Sequence, residues 1–313
     1  LLRELELLAR DHPKKMPLLP LDLAMYRGFA ALQQGDQIRA TTAFEHGASR
    51  ARWFGKGELG WHIERARVIM RMNSGQCAGV LEELAALHRK ARTYSIFGAA
   101  PFWAFDRAVI ARELDGEVSN ETALRAALAY DKTEPPSIWS MKVRALAAAG
   151  FNDEAYAALR AVPPEALAEL PCDTHYLGTL GHLTRAALAL GAREYLAALY
   201  PLLARFPNAF AVHVSVVCEG SISQLLGMVA HVLGRRAEGI AHLERGIAMA
   251  ERAGFSMSAA DGHLELARCL AADTAGARSP RVKTLAREVQ STAERIGARR
   301  LMLEATSTLR LVS

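Results

Sequence analysis

Apolar residues recur along most of the chain at intervals of three and four positions, the spacing of one face of an amphipathic α-helix. Residues 21–34 and 37–54 show this period clearly, and polar residues fill the positions between. The alternation of apolar and polar residues that marks a half-buried strand is not sustained over any long stretch. Glycines separate the runs, at places where a left-handed residue ends a helix. The pattern predicts an all-α protein built from pairs of helices.

The helix pairs repeat along the chain. Gly35 and Gly55 bracket one helical run, and Gly234 and Gly254 bracket another of the same length. Turns of this kind recur roughly every 40 residues, at Gly35, Asn73, Asp115, Gly150, Gly191 and Gly234. A helical hairpin cannot bury both of its faces alone, so we expect the copies to stack into a superhelix with one continuous core.

Small residues occupy matching places on either side of these turns. Gly28 and Gly227 precede their turns by the same interval, and Ala40, Ala78, Ala155 and Gly239 follow theirs by another. A glycine inside a helix costs about 1 kcal/mol relative to alanine, so it needs a structural reason. We expect these small residues to let the two helices of each pair approach closely.

This pattern resembles the tetratricopeptide repeat (TPR). If Gly234 is counted as position fifteen, Gly227 and Gly239 fall at the two small positions of the TPR consensus. The consensus Trp at position four is absent, and the units are longer than the TPR length of about 34 residues. The resemblance implies a right-handed superhelical α-solenoid of TPR-like helical hairpins. Residues 1–205 would form divergent repeats, and residues 206–313 would continue the same solenoid.

The last third of the chain carries a narrower resemblance. Its elements are the segments LYPLL at 199–203, CEGS at 218–221, LG at 226–227, and LG at 233–234 leading into AHLE at 241–244. They resemble the C-terminal helical region of large bacterial signalling proteins that carry an AAA/STAND ATPase followed by TPR-like repeats. These proteins are adenylate or guanylate cyclases and LuxR-type or SARP-type transcription regulators.

That resemblance implies a region without chemistry of its own, which senses ligands, binds partners or holds the ATPase inactive. The catalytic or DNA-binding output domain would then lie outside this chain. Leu1 and Leu2 open the sequence in the middle of an apolar pattern, which also suggests a piece of a longer protein.

Composition and charge narrow the function further. The 313 residues are 51% hydrophobic and 23% charged, which is ordinary for a globular protein with a sizeable core. A net charge of +5 without a basic tail argues against direct nucleic-acid binding. No window approaches twenty uninterrupted apolar residues, so no membrane span is expected. The four cysteines form no CxxC pair, which favours reduced thiols in a cytoplasmic protein.

Motifs that would carry chemistry are missing from the sequence. It contains no GxxxxGK[ST], HExxH or GxSxG motif. His175 and His182 are spaced to share a helical face but have no third ligand nearby in sequence. Cys218 beside Glu219 could be a nucleophile, but the apolar run before it favours a buried packing role. We therefore expect neither an enzyme nor a bound metal or cofactor.

Two segments stand apart from the helical pattern. Residues 206–220 break the period and carry β-branched residues. They are either an extended connector buried between two hairpins or a wall of a ligand pocket. Residues 49–71 interleave arginines with Trp53 and Trp61, a composition compatible with nucleic-acid binding. On helices these aromatics fall on the core face, which favours solvated arginines and core tryptophans.

A TPR-like superhelix lines its concave side with the first helix of each unit, and such surfaces bind partners. The resemblance places a set of residues on this side: Arg67, Arg144, Arg185, Phe102, Phe105, Gln224 and His231. Guanidinium groups suit carboxylates and phosphates, so the three arginines would bind acidic segments of a partner protein or of the chain's own ATPase or output domain. Alternatively, they pair with internal acids and bind nothing.

The sequence therefore favours a non-catalytic regulatory or protein-interaction domain, a sensor or scaffold in a bacterial signalling or transcription-regulating protein. The alternative is a receptor domain that binds a small-molecule effector in its concave groove.

Overall fold

The computed structural model describes residues 2–12, 14–53, 57–96, 99–114, 121–129, 133–213, 217–272 and 279–311. Helices account for 79% of the structure, and two short strands are the only other regular elements among the described residues. The prediction of an all-α protein is confirmed. None of the described helices combines the length and the apolar content that crossing a bilayer requires.

The elements of the first half of the chain are α1 (Leu2–Asp11), α2 (Leu19–Gln33), α3 (Gln37–Trp53), α4 (Gly57–Asn73), α5 (Val80–Thr93), α6 (Ala99–Phe105), a π-helical turn (Asp106–Ile110), α7 (Ala111–Leu114), α8 (Glu121–Leu128), α9 (Pro136–Ala149) and α10 (Asn152–Arg160). Those of the second half are a 3₁₀ helix (Pro164–Glu169), α11 (Tyr176–Leu190), α12 (Arg193–Leu203), β1 (Phe210–Val212), β2 (Cys218–Ser221), α13 (Ile222–Val232), α14 (Arg236–Arg252), α15 (Ser256–Ala271), α16 (Pro280–Ile296) and α17 (Arg299–Leu311).

Left-handed glycines end the helices at four of the predicted turns. They are Gly35, Gly150, Gly191 and Gly234, with φ between 65° and 87°. Asn73 is the last residue of α4, and the left-handed residue follows it at Gly75. The predicted marks Asp115 and Gly55 lie outside the described residues. Helices on either side of these turns pack together as hairpins, as in α2 with α3 and α13 with α14.

Ala78 is exposed and precedes α5, so the prediction of a helix contact is wrong there, but the predicted glycines lie where paired helices come closest. A Cβ atom on Gly28 would be 2.4 Å from the Phe44 ring, and one on Gly227 would be 2.6 Å from Leu243 Cγ and 2.9 Å from the Gly239 carbonyl oxygen. No larger side chain fits at these places unless the Phe44 ring or, at Gly227, a helix backbone moves. The predicted close approach of helices is therefore present in both hairpins.

The segment that breaks the helical period forms a buried antiparallel β-hairpin of β1 and β2. Phe210, Ala211 and Val212 are at most 2% exposed, and His213 is fully buried. The hairpin packs on α11, where a Cβ on Gly178 would lie 2.4 Å from His213 Cα. The interpretation of residues 206–220 as a buried extended connector thus agrees with the described part of the segment.

One residue in segment 49–71 departs from its interpretation. Trp61 is fully buried, as the core-face interpretation requires, but Arg65 is only 2% exposed and is not solvated. Its Nε donates to Asp106 Oδ2 at 2.9 Å, and His88 Nε2 lies 2.7 Å from the same oxygen. The sequence around Arg65 does not predict this pairing, because Asp106 lies 41 residues away in the π-helical turn.

The helical array curls until its first and last parts touch. Gln37 Nε2 donates to the Ala253 carbonyl oxygen at 2.7 Å, joining α3 to the end of α14. Elsewhere α4 packs against α15, and α7 packs against α17. One large apolar cluster extends from Leu21 to Leu285, and a smaller one lies under the C-terminal helices. Within this closed arrangement the β-hairpin packs against α2, α11, α13, α14 and α15, beside a pocket with a charged wall.

Candidate functional site

A pocket of about 410 Å³ lies where α7, α9, α11, β2, α13, α15 and α17 meet. We call it the central pocket. Its wall contains five arginines and five acids, namely Arg112, Arg144, Arg185, Arg268, Arg300, Glu113, Glu219, Asp261, Glu265 and Glu304. Because so many charges share one partly closed space, their pairing decides what the pocket can bind.

Glu219 on the buried hairpin is the centre of the first group. Its side chain is only 4% exposed, and both carboxylate oxygens accept from Arg144 Nε, at 3.2 and 3.3 Å. Arg185 donates from Nε and Nη2 to the Glu219 backbone carbonyl, at 3.0 and 2.7 Å. These bonds fix β2 to α9 and α11.

Asp261 on α15 links this group to the C-terminal helix. Its Oδ2 accepts from Arg185 Nη2 at 2.6 Å, and its Oδ1 accepts from Arg300 Nη2 at 2.8 Å. Burial favours the neutral carboxyl, but Arg185 and Arg300 hold the pKa of Asp261 below its usual range. Arg300 Nε also donates to both carboxylate oxygens of Glu113, at 2.7 Å. The network thereby joins α11, α15, α17 and α7.

Arg268 closes the far side of the pocket. Its Nη1 donates to Glu265 Oε1 at 2.7 Å, and its Nη2 donates to Glu304 Oε2 at 2.8 Å. Burial raises the pKa of Glu265 even though Arg268 is its partner. Each of the five acids in the wall is therefore bonded to at least one arginine.

Arg144 differs from the other arginines of the network because only one of its nitrogens, Nε, makes hydrogen bonds to described residues. Its only bonds to described residues run from Nε to Glu219, so Nη1 and Nη2 have no partner in the described part of the chain. The side chain is 13% exposed and lines the pocket. Its terminal nitrogens are thus available to a molecule that enters.

Histidines form a layer behind Glu219. His182 is fully buried, with its ring centroid 5.2 Å from that of Phe105 and 4.5 Å from that of His213. Burial, and then Arg144, lower the pKa of His182 to about 3, so the ring is neutral. Its Nε2 lies 3.7 Å from Glu219 Oε1, and neither ring nitrogen has a hydrogen-bond partner among the described residues.

The structure brings three of the predicted site residues together and separates the rest. Arg144, Arg185 and His231 line the central pocket. Phe102 and Phe105 are core residues, 6% and 0% exposed.

Gln224 is also buried, and it caps α13. Its Oε1 accepts from the Ser221 backbone N–H at 2.8 Å, and its Nε2 donates to the Ser258 carbonyl oxygen at 2.7 Å. These bonds occupy the side chain within the fold.

Arg67 lies elsewhere, exposed on α4. It lines a second, more open pocket of about 660 Å³ between α3, α4 and α5, which we call the outer pocket. Arg67 therefore does not share a surface with Arg144 and Arg185, and the three arginines do not form one continuous row.

Sequence reasoning did not find the acids or the other three arginines of the central pocket, Arg112, Arg268 and Arg300. Glu113 and Arg300 are separated by 187 residues, so no local spacing relates them. Asp261 carried a weak signal, because it lies one turn before the buried Leu264 on the apolar face of α15. A carboxylate on such a face needs a cationic partner.

The surroundings of Cys218 and the arrangement of possible metal ligands bear on the chemistry considered from the sequence. Burial raises the pKa of the Cys218 thiol to about 12, which disfavours the thiolate and agrees with a packing role. Among the described residues, no group of three or more His, Cys, Asp or Glu side chains is arranged to hold a metal ion.

Compared with protein-family models, with curated proteins and with solved structures, the chain has no match. Its function must therefore be inferred from the geometry of the central pocket.

Proposed function

We propose that this chain is a non-catalytic regulatory sensor domain that binds a small polar effector in the central pocket. It would be a right-handed solenoid of TPR-like hairpins, part of a bacterial signalling or transcription-regulating protein. The observation that carries the proposal is a pocket of about 410 Å³ whose wall comes from both halves of a closed helical array. This volume lies within the range of small-molecule sites, about 300–1,000 Å³.

The position of the pocket suits a sensor. A molecule in it touches α7 and α9 from the first half of the chain and α15 and α17 from the second. A ligand that contacts both halves stabilises their closed arrangement over any more open one by its differential affinity. A change in that balance is a signal that a neighbouring output domain can receive.

The pocket's geometry favours a small molecule over an extended acidic segment. The buried β-hairpin contributes Cys218 and Glu219 to the pocket wall, and Glu219 and Asp261 already pair with the arginines predicted to bind acids. An acidic peptide would have to displace these internal carboxylates. The same ion pairs engage every acid of the wall, which supports a binding role rather than general acid–base chemistry.

A protein partner remains the second candidate, at the outer pocket. The outer pocket is open to solvent and presents the exposed Arg67. An acidic segment of a partner, or of the chain's own ATPase or output domain, would fit that surface.

The sensor proposal is tested by a thermal-shift panel of small polar metabolites on the wild type and on an Ala189→Trp variant. Ala189 is exposed on α11 at the edge of the central pocket, so a larger side chain there obstructs the pocket without removing an ion pair. An effector should raise the melting temperature of the wild type and not of this variant, since only binding to the folded form stabilises it.

Ala197→Trp is the matched control, because Ala197 is exposed on α12 and does not line the central pocket. It should respond to the effector as the wild type does. A panel in which no compound distinguishes Ala189→Trp from Ala197→Trp would contradict the proposal. A partner protein whose binding is lost in Arg67→Glu and kept in Ala189→Trp would favour the second candidate.

A further inference from the structure

The free end of Arg144 is the main unused polar group in the central pocket. Its Nε is committed to Glu219, while Nη1 and Nη2 have no partner among the described residues. Two parallel N–H groups at the end of a guanidinium match the two oxygens of a carboxylate. The adjacent Arg185 and Arg300 are occupied by Glu219, Asp261 and Glu113 and hold the wall in place around this position.

Charge pairing in the pocket favours an anion over a cation. Five arginines face five acids, and each acid already accepts a hydrogen bond from an arginine. A cation would have to compete for carboxylates that are in use. His231 cannot replace an arginine as a cation, because burial, and then Arg236, lower its pKa, but its neutral ring still offers one N–H.

The same pairing favours a ligand with one negative charge over a ligand with two. A phosphate or sulfate dianion bound to Arg144 would lie near the carboxylates of Glu219 and Asp261, which repel it. Among the described arginines of the wall, only Arg144 has both terminal nitrogens without a partner, since Arg112 donates from Nη1 to the Ala148 carbonyl oxygen. A monoanionic carboxylate needs no more than this one end.

Beyond the charged groups, the pocket has an apolar part. It is formed by Val109, Ile110, Leu188, Met228, Val232 and Met257. Methionine side chains adapt to irregular shapes, so this wall tolerates ligands of different outline. A carboxylate alone would leave this apolar surface uncovered.

We infer that the effector is a small organic monocarboxylate with an apolar tail, its carboxylate bound by Arg144 Nη1 and Nη2 and its tail against the apolar wall. This inference rests on the proposed function, since it names the chemistry of the molecule that the central pocket senses.

Isothermal titration of the purified chain at neutral pH with butyrate, hexanoate and octanoate tests the inference. Hexanamide and 1-hexanol are the uncharged probes of matched length, and inorganic phosphate is the dianionic probe. At least one carboxylate should bind, and the amide, the alcohol and phosphate should bind at least about tenfold more weakly, as expected for the loss of a charged hydrogen-bonded pair.

Arg144→Gln should weaken carboxylate binding at least about tenfold, because it removes the cationic fork. Arg67→Gln is the matched control: this arginine was also predicted to line the concave side but lies at the outer pocket, so its replacement should leave the affinity unchanged. Arg144→Lys keeps the charge without the planar fork and should bind more weakly than the wild type.

If Arg144→Gln fails to fold because Glu219 loses its partner, Arg144→Lys and Ala189→Trp still decide the matter. Carboxylate binding that is unchanged in both would overturn the inference. So would equal binding of hexanoate and hexanamide, or binding of phosphate in preference to carboxylates. A neutral compound that binds the wild type and is blocked only by Ala189→Trp would refute the carboxylate and leave the sensor proposal intact. If no compound of any class is blocked by Ala189→Trp, both fail.

Discussion

At the scale of single residues, the interior of this protein is unusual for the ionisable groups that it buries. Arg65 and Asp106 are 2% and 3% exposed, and they pair with each other. Burial favours the neutral acid, but Arg65 and His88 hold the pKa of Asp106 below its usual range. Such a pair is costly to break, because removing one partner leaves the other charge buried without compensation. His182 shows the opposite solution, in which the buried group stays neutral.

His182 should make the stability of the protein depend on pH. In the folded chain its pKa is lowered from 6.5 to about 3 by burial and then by Arg144, so the unfolded chain binds a proton first as the pH falls. The stabilisation is complete above pH 6.5 and is lost as the pH falls toward 3. One extra proton in the unfolded state gives a slope of about 1.4 kcal/mol per pH unit.

Urea titrations of the wild type and of His182→Leu between pH 4 and 8 measure this contribution. Below pH 6.5 the free energy of unfolding of the variant should fall less steeply than that of the wild type. The difference in slope should be that of about one bound proton. Above pH 7 the two curves should run parallel, which is the internal control. Equal slopes throughout the acid range would mean that His182 accepts a proton in the folded protein.

At the scale of the elements, the helical hairpins depend on glycines at helix crossings. In the α13–α14 pair, Gly227 and Gly239 face each other so closely that a Cβ on either one would lie within 3.0 Å of the other's carbonyl oxygen. A Cβ on Gly246 of α14 would likewise lie 2.5 Å from the backbone nitrogen of Gln224. Backbone atoms cannot move aside as side chains do, so these contacts set the distance between the helices.

Gly227→Ala should therefore destabilise the protein by about 1–3 kcal/mol, the cost of overpacking, although alanine is the better helix former. Gly60→Ala in α4 is the matched control. The nearest atom to its new Cβ would be Ala51 Cβ at 3.8 Å, so the change should be neutral or stabilise by about 0.5–1 kcal/mol. Urea titration of both variants gives the comparison. A Gly227→Ala protein as stable as Gly60→Ala would show that the helices can separate at little cost.

At the scale of the whole molecule, the first and last parts of the array hold each other. An open repeat array has contacts only between neighbouring units, and its parts can unfold separately. Here Arg300 on α17 bonds to Glu113 on α7, Gln37 bonds to Ala253, and one apolar cluster runs through most of the chain. These long-range contacts should couple the unfolding of the two halves.

The four tryptophans provide the measurement, because Trp53, Trp61, Trp103 and Trp139 all lie in the first half of the sequence. Tryptophan fluorescence therefore follows the first half, and far-UV circular dichroism follows helices everywhere. In urea the two transitions of the wild type should coincide. In Arg300→Gln, the loss of the bonds to Glu113 and Asp261 should shift the circular-dichroism midpoint lower than the fluorescence midpoint. Separate transitions in the wild type would contradict the closed arrangement.

The sequence by itself determined the local features of this protein. The period of apolar residues predicted helices, and glycines such as Gly150 and Gly191 predicted left-handed turns. The same period failed at residues 206–220, where a hairpin lies. Each of these features depends on residues within a few positions of one another, because helix faces and backbone dihedral angles are set locally. Such local features can be predicted from the sequence without knowledge of the fold.

Only the tertiary structure decided what the charged residues do. Arg67 and Arg144 were both predicted to line the concave side, yet one is exposed on α4 and the other lies in the central pocket with Glu219. The partners of Arg300 and Arg185 lie 187 and 76 residues away in the sequence. The closure of the array brings these groups together, and the energy of a charge depends on its burial and its partner rather than on its neighbours in the chain.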